Sequence, residues 1–205
     1  EGDYYTLLNQ DRDGNSMIDQ YSYKDFQKTT TIVDGKKLKN LHQFESYDFN
    51  KSESKVILGN SLQKIYRRSF KGTYHVFFVE AQKIRLIGND IQEPSFSPDG
   101  NKIAYAKANN LFVLNLADGK TTQITTDGRH NHIINGITDW VYEEEFGFVR
   151  AYQWSNDSNF IAFLRFDESH VKEFSMDIMG SELYPSQHVF KYPKAGEENA
   201  KVSLH

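Results

Sequence analysis

Short runs of apolar and aromatic residues alternate with polar turns along the chain, a pattern typical of β-strands joined by hairpins. In the first quarter, strands are predicted at residues 4–8, 16–23 and 29–33, each next to a polar turn. The turn at residues 11–15, D-R-D-G-N, contains part of a calcium-binding signature, but its Gly14 stands at the fourth rather than the sixth position. We therefore interpret this segment as a hairpin turn and not as an EF-hand loop.

A longer repeat is superimposed on the strand pattern. Three times an aromatic residue is followed by Ser or Asn, a polar turn and an apolar strand, beginning at Phe49, Phe96 and Trp154. The first two aromatics are 47 residues apart and the last two are 58 residues apart. A period in the forties with about four strands per unit is typical of a β-propeller blade, and a sandwich of similar hairpins is the alternative. We predict an all-β fold with about four propeller blades, in units at residues 1–44, 45–90, 91–126 and 127–205.

The second interval of this repeat holds an insertion that differs from the strands around it. It contains residues 136–148, with the sequence G-I-T-D-W-V-Y-E-E-E-F-G-F. Asp139 is a suitable N-cap and Gly147 a suitable C-terminal stop, so we predict one or two turns of helix between them. Because insertions between repeats often carry function, this helix is the first candidate for a site.

The predicted helix carries three consecutive glutamates, Glu143, Glu144 and Glu145, between large aromatic residues. Successive helical positions rotate by about 100°, so Glu144 and Glu145 can face a common space while Trp140 is buried and Glu143 turns away. Two carboxylates held side by side suit a cation. A ligand ammonium, an arginine from another loop and a metal ion remain open, although calcium requires more oxygen ligands than this segment supplies.

Two further pairs of residues are candidates for binding chemistry. Arg67 and Arg68 lie among predicted strands in I-Y-R-R-S-F, where a guanidinium can brace a surface or grip a carbonyl or carboxylate. His130 and His132 are spaced to face one way on a strand, but a zinc site needs more ligands than these two. We therefore predict no metal site and no cofactor.

Composition excludes several classes of function. The chain has no cysteine, which excludes disulfides and thiolate zinc sites, and its net charge of −4 gives no reason to expect nucleic acid or an anionic membrane as a partner. No run approaches about 18 apolar residues, so we expect a soluble polypeptide. The nucleophile motif G-x-S-x-G is absent too, and no catalytic residue is predicted in this chain.

The strand pattern breaks again at residues 168–193. The sequences F-S-M-D-I-M-G and L-Y-P place methionine and aromatic residues in what we interpret as an excursion from the repeat. Exposed residues of these types suit a contact with another protein. An excursion that folds back on its own blade is the alternative.

The segment at residues 135–146, N-G-I-T-D-W-V-Y-E-E-E-F, resembles the glutamate motif of the dipeptidyl peptidase IV family of serine exopeptidases. The match is specific because it is long and rich in Trp, Tyr and Glu. Four shorter stretches agree with it: Y-R-R-S-F at 66–70, S-P-D-G-N-K-I-A-Y at 97–105, R-F-D-E-S at 165–169 and Y-P-K-A-G at 192–196. The resemblance covers most of the chain, is weakest at its beginning, and is closer to bacterial than to animal members.

This resemblance implies an eight-bladed propeller joined to an α/β-hydrolase domain, with the catalytic triad outside this chain. It implies that Glu144 and Glu145 bind the N-terminal ammonium of a peptide substrate and that Arg67 contacts a substrate carbonyl. The excursion at residues 168–193 is similar to the arm that helps to form the homodimer of the family. A periplasmic, cell-envelope or secreted location is implied as well.

We therefore expect the substrate-positioning portion of an enzyme that removes N-terminal dipeptides with Pro or Ala at the second position. A non-catalytic propeller used as a binding module and a prolyl tripeptidyl peptidase are the alternatives. A G-x-S-x-G segment further along the gene would separate the enzymes from the module. The length of the released peptide would separate the two enzymes.

Overall fold

The computed structural model describes residues 2–205, and the first part of this chain is an antiparallel sheet. Three strands and a 3-10 turn follow one another here: β1 (Tyr4–Gln10), β2 (Ser16–Ser22), β3 (Lys28–Asp34) and the turn Gly35–Lys37. The carboxylate of Asp11 accepts hydrogen bonds from the backbone N–H groups of Asp13 and Asn15, and so holds the turn between β1 and β2. The three predicted strands and the hairpin turn are confirmed.

A seven-stranded antiparallel sheet occupies the middle of the chain, in the spatial order β10, β9, β8, β7, β6, β5, β4. Its strands are β4 (Ser46–Phe49), β5 (Lys55–Lys64), β6 (Phe70–Phe78), β7 (Lys83–Phe96), β8 (Lys102–Lys107), β9 (Asn110–Asn115) and β10 (Thr121–Gln123). The long strand β7 pairs with β6 up to Ile91 and with β8 from Gln92 onward. One strand therefore ends one group of hairpins and begins the next.

The last sheet is built around one central strand. Strand β13 pairs with each of its three neighbours, and the bounds are β11 (Ile133–Asn135), β12 (Tyr152–Trp154), β13 (Ile161–Asp167) and β16 (Lys201–Leu204). A separate hairpin, β14 (Glu173–Ile178) and β15 (Ser186–Lys191), leaves this sheet between β13 and β16. We call this hairpin the arm, and it makes up most of the excursion predicted at residues 168–193.

The repeated turn motif has a physical cause that two of its copies share. In the second copy, the carboxylate of Asp99 accepts hydrogen bonds from the Ser97 hydroxyl and from the backbone N–H of Asn101. The corresponding Asp157 makes the same two contacts within the third copy. The Ser158 hydroxyl then accepts a hydrogen bond from the backbone N–H of Asp99, so the turns of two neighbouring units are joined directly.

The core consists of apolar clusters that connect successive sheets. Ile18 of the first sheet packs in one cluster with Phe77 of the middle sheet, and Ala106 of the middle sheet packs in another with Phe166 of the last sheet. The all-β prediction is confirmed, and the described strands do not close into a ring. The number of blades and the division into four units stay predictions. No helix within residues 2–205 has the length and apolar character needed to cross a membrane.

Candidate substrate-binding site

The three glutamates lie on α1 (Trp140–Phe146), between β11 and β12. The helix begins at its N-cap Asp139, whose carboxylate accepts a hydrogen bond of 2.9 Å from the backbone N–H of Tyr142. It ends at Gly147, whose φ of 75° lies in the left-handed region that glycine adopts without steric penalty. The helix predicted between Asp139 and Gly147 is therefore present, and both of its ends have the predicted cause.

An aromatic cluster supports this helix from the base of the arm. The ring centroid of Trp140 lies 4.7 Å from that of Tyr192 and 6.2 Å from that of Phe190. Phe190 also lies 5.8 Å from Tyr66, the residue before Arg67. The base of the arm thus packs against both segments that carry predicted site residues, while its tip is exposed.

Glu143 points into the protein and is only 1% exposed. Its Oε1 accepts hydrogen bonds from the backbone N–H groups of Arg68, at 2.6 Å, and of Ser69, at 2.9 Å. Both hydrogen bonds reach the same carboxyl oxygen, so two consecutive backbone donors of the loop are bound to this one buried side chain. The sequence pattern separated Glu143 from the other two glutamates but gave it no partner. The loop before β6 is that partner.

Glu144 pairs with Arg67, and the distance from Arg67 Nη2 to Glu144 Oε1 is 2.8 Å. The Arg67 side chain is 69% exposed and that of Glu144 is 23% exposed, so the pair lies at the surface. Glu145, the next helical residue, is exposed, and no ion pair among residues 2–205 involves it. The sequence left three candidate cations for this glutamate pair, and the structure shows one of them, an arginine, beside Glu144. Glu145 faces solvent.

A groove of about 500 Å³ opens beside this ion pair. The loop, the helix and the arm all contribute to its walls, including Tyr66, Trp140, Met176, Ile178 and Phe190. Ligand sites commonly combine such apolar walls with a few fixed polar groups. The groove can therefore hold a ligand that has a charged end and an apolar body.

Tyr66 also lines a second cavity, of about 640 Å³, which contains a buried acid that the sequence pattern did not single out. This acid is Glu168, and its burial is the main reason why its pKa rises from 4.5 to about 7. The neighbouring Asp139 raises this pKa further, whereas Lys191 in β15 lowers it. The one sequence signal at this position was the R-F-D-E-S stretch at residues 165–169, to which no role was given.

His130 and His132 were predicted to face one way on a strand. This placement is wrong, because neither residue lies on a strand. His130 and His132 lie in a turn closed by the bridge between Arg129 and Ile133. The φ of Asn131 is 56°, and this left-handed residue reverses the chain between them. In the described part of the chain, no group of three or more His, Cys, Asp or Glu is arranged to hold a metal ion.

Comparisons with known proteins give one consistent result. The family described as "Dipeptidyl peptidase IV (DPP IV) N-terminal region" matches residues 50–205. A protein named probable dipeptidyl-aminopeptidase B from Podospora anserina is 38% identical over 172 residues, which cover 76% of this chain. Human prolyl endopeptidase FAP is 31% identical over 202 residues, which cover 96% of this chain.

A solved structure matches the whole fold. The crystal structure of Porphyromonas gingivalis dipeptidyl peptidase 4 superposes with a TM-score of 0.91 and 35% identity over 100% of this chain. The chain spans 29% of that crystallised chain, and 18% and 26% of the two relatives from Podospora anserina and human. It therefore spans less than a third of each of these proteins.

Proposed function

The chain belongs to the dipeptidyl peptidase IV family, as part of its N-terminal region, and on that premise we propose that it positions peptide substrates by their free N-terminus. Glu144 and Glu145 bind the N-terminal ammonium of the substrate, and Arg67 binds a substrate carbonyl. The longer protein then releases N-terminal dipeptides with Pro or Ala at the second position. Its serine nucleophile belongs to a hydrolase domain outside this chain, and no cofactor takes part.

The observation that carries this proposal is the ion pair between Arg67 and Glu144, with the exposed Glu145 as the next residue of the helix. Two carboxylates and one guanidinium leave a net charge of −1, which matches the single positive charge of an ammonium. The ammonium has three N–H donors, and two carboxylates offer more than enough acceptor positions for them. Since Arg67 is largely exposed, its guanidinium keeps donors for a carbonyl in addition to those that face Glu144.

A fixed N-terminus gives such an enzyme its register on the substrate. Each extended residue spans at most about 3.5 Å, so the second and third peptide bonds from a held ammonium lie about 3.5 Å apart. A site that holds the ammonium at one place therefore presents one of these bonds to the nucleophile and withholds the other. For this reason the length of the released peptide reports directly on the position of the glutamates.

The proposal extends to the assembly of the longer protein. The sheets described above are part of an eight-bladed propeller that is completed by residues outside this chain. Three apolar residues at the arm tip, Met179, Leu183 and Tyr184, are 82%, 88% and 79% exposed, and exposed apolar groups of this kind mark protein contacts. We propose that the arm tip contacts a second copy in a homodimer, and that the protein is periplasmic, envelope-bound or secreted.

The test is substitution of each glutamate in the longer protein that contains this chain. The variants Glu144→Ala and Glu145→Ala should each have a kcat/KM about 10- to 100-fold lower for a substrate with a free N-terminus. The reason is that each variant removes charge-assisted hydrogen bonds worth about 1.5–3 kcal/mol. The control is Glu80→Ala, which removes an exposed glutamate from a turn and should leave kcat/KM unchanged. Near-normal turnover by either site variant would disprove the assignment, and release of tripeptides would favour the tripeptidyl alternative.

A further inference from the structure

The buried carboxylate of Glu143 joins two segments that are far apart in sequence. One is α1, and the other is the loop of residues 65–69, which connects β5 to β6 and carries Arg67. The hydrogen bonds from Arg68 and Ser69 converge on a single oxygen of Glu143, so two consecutive backbone N–H groups of the loop are bound to one side chain of the helix.

We propose that Glu143 is a positioning residue for substrate binding: by clamping the backbone of Arg68 and Ser69, it holds the Arg67 guanidinium opposite Glu144. The inference rests on the proposed function, because it concerns the same substrate site. It adds a residue that makes no contact with the substrate and acts only through Arg67.

The hydrogen bonds within the loop determine its shape but not its place. The backbone N–H of Ile65 donates to the Ser69 carbonyl at 2.9 Å, and the backbone N–H of Tyr66 donates to the Ser69 hydroxyl at 3.1 Å. Both bonds close the loop on itself and do not involve the helix. The two bonds to Glu143 are different, because they tie the loop to α1.

The order of residues in the two segments explains how the clamp acts on Arg67. Glu143 and Glu144 are adjacent in the helix, and Arg67 is adjacent to Arg68 in the loop. The inner contact, between Glu143 and the loop backbone, is buried, whereas the outer contact, between Glu144 and Arg67, is at the surface. An exposed ion pair is weakly held by itself, so the buried contact behind it is what fixes the distance between the two charges.

The experiment is a double-mutant cycle between Glu143 and Arg67 in the longer protein, read as kcat/KM for a substrate with a free N-terminus. Glu143→Ala should lower kcat/KM by about 10- to 100-fold, since misplacement of a binding group by about 1 Å is enough for such a loss. In the Arg67→Ala background, the same substitution should change kcat/KM by less than about twofold, because residues that act through one another are not additive.

A second variant keeps the test decisive if Glu143→Ala does not fold. Glu143→Asp keeps the charge but shortens the side chain by one methylene, so it cannot hold the loop at its present distance. It should cause a smaller loss that also disappears in the Arg67→Ala background. Wild-type kcat/KM for Glu143→Asp, or losses that multiply with that of Arg67→Ala, would overturn the inference.

A matched control separates positioning from general stability. Asp19 is also a buried carboxylate with several hydrogen-bond donors, and it lies in the first sheet. Asp19→Ala should lower stability without lowering the kcat/KM of the folded protein.

The Arg67→Ala variant separates failure of the proposed function from failure of the clamp. If Arg67→Ala alone leaves kcat/KM unchanged, both the role of Arg67 and the clamp are wrong. If it lowers kcat/KM and this loss multiplies with that of Glu143→Ala, only the clamp is wrong.

Discussion

Glu168 makes the stability of this chain depend on pH between about 4.5 and 7. Its carboxyl is buried in the segment between β13 and the arm, and its pKa rises from 4.5 to about 7, mainly because burial disfavours the charged form. The charges of Asp139 and Asp167 also raise this pKa, and Lys191 opposes them. In the folded chain the group is therefore protonated at pH values where the unfolded chain has already ionised it.

The sign and size of the effect follow from this difference. Between pH 4.5 and pH 7 the folded state binds a proton that the unfolded state has lost, so the free energy of unfolding falls as the pH rises. One pKa unit corresponds to about 1.4 kcal/mol, and the whole shift therefore corresponds to about 3 kcal/mol. Most of it, about 2–3 kcal/mol, falls between pH 5 and pH 8.

The perturbation is Glu168→Gln, which keeps the size of the side chain and removes its titration. For a chain of this length, 1 kcal/mol shifts the Tm by about 2–4 °C. From pH 5 to pH 8, the Tm of the wild type should therefore fall by about 5–10 °C more than that of the variant. Thermal unfolding followed by circular dichroism at several pH values measures this, and the exposed Glu80→Gln should follow the wild type. Parallel curves for the wild type and Glu168→Gln would refute the reasoning.

Two further predictions concern the neighbour of Glu168 and the arm tip. Asp139→Asn keeps an acceptor for the N-cap hydrogen bond but removes the charge beside Glu168, so the pKa of Glu168 in the folded chain should fall and the loss of stability should end at a lower pH; an unchanged titration midpoint would contradict this. Leu183→Glu together with Tyr184→Glu places charges on the exposed arm tip and should convert the proposed homodimer of the longer protein to monomers, measured by light scattering after size exclusion. A dimer of unchanged mass would exclude the tip from the interface.

The local elements of this fold could be predicted because their causes lie within a few residues. Alternating apolar residues and polar turns predicted the strands, and the pair Asp139 and Gly147 predicted both ends of the helix. The course of β7 was harder to predict, because the turn-type sequence G-N-D at residues 88–90 and the left-handed Asp90 and Glu93 lie within the strand, near the point where it changes its partner, without ending it. Only pairing with strands on both sides defines that point.

The candidate site could be predicted only in part, because its contacts join residues that are far apart in sequence. Motifs singled out Arg67, Glu144 and Glu145, whose binding role stays a prediction, but the ion pair between Arg67 and Glu144 depends on folding that brings distant segments together. Three consecutive glutamates do not reveal which one faces backbone donors, so the role of Glu143 was missed. Glu168 was missed as well, because its burial is produced by tertiary packing and not by its own sequence.

Glu144 and Glu145 are proposed to hold the ammonium of a peptide, and the most direct measurement changes the ammonium itself. In the longer protein, kcat/KM is compared for a dipeptidyl substrate and its des-amino analogue, in the wild type and in Glu145→Gln. Removal of the ammonium should lower the wild-type value by at least about 100-fold, and this loss should shrink by about tenfold in Glu145→Gln. An equal loss in both proteins would contradict the account.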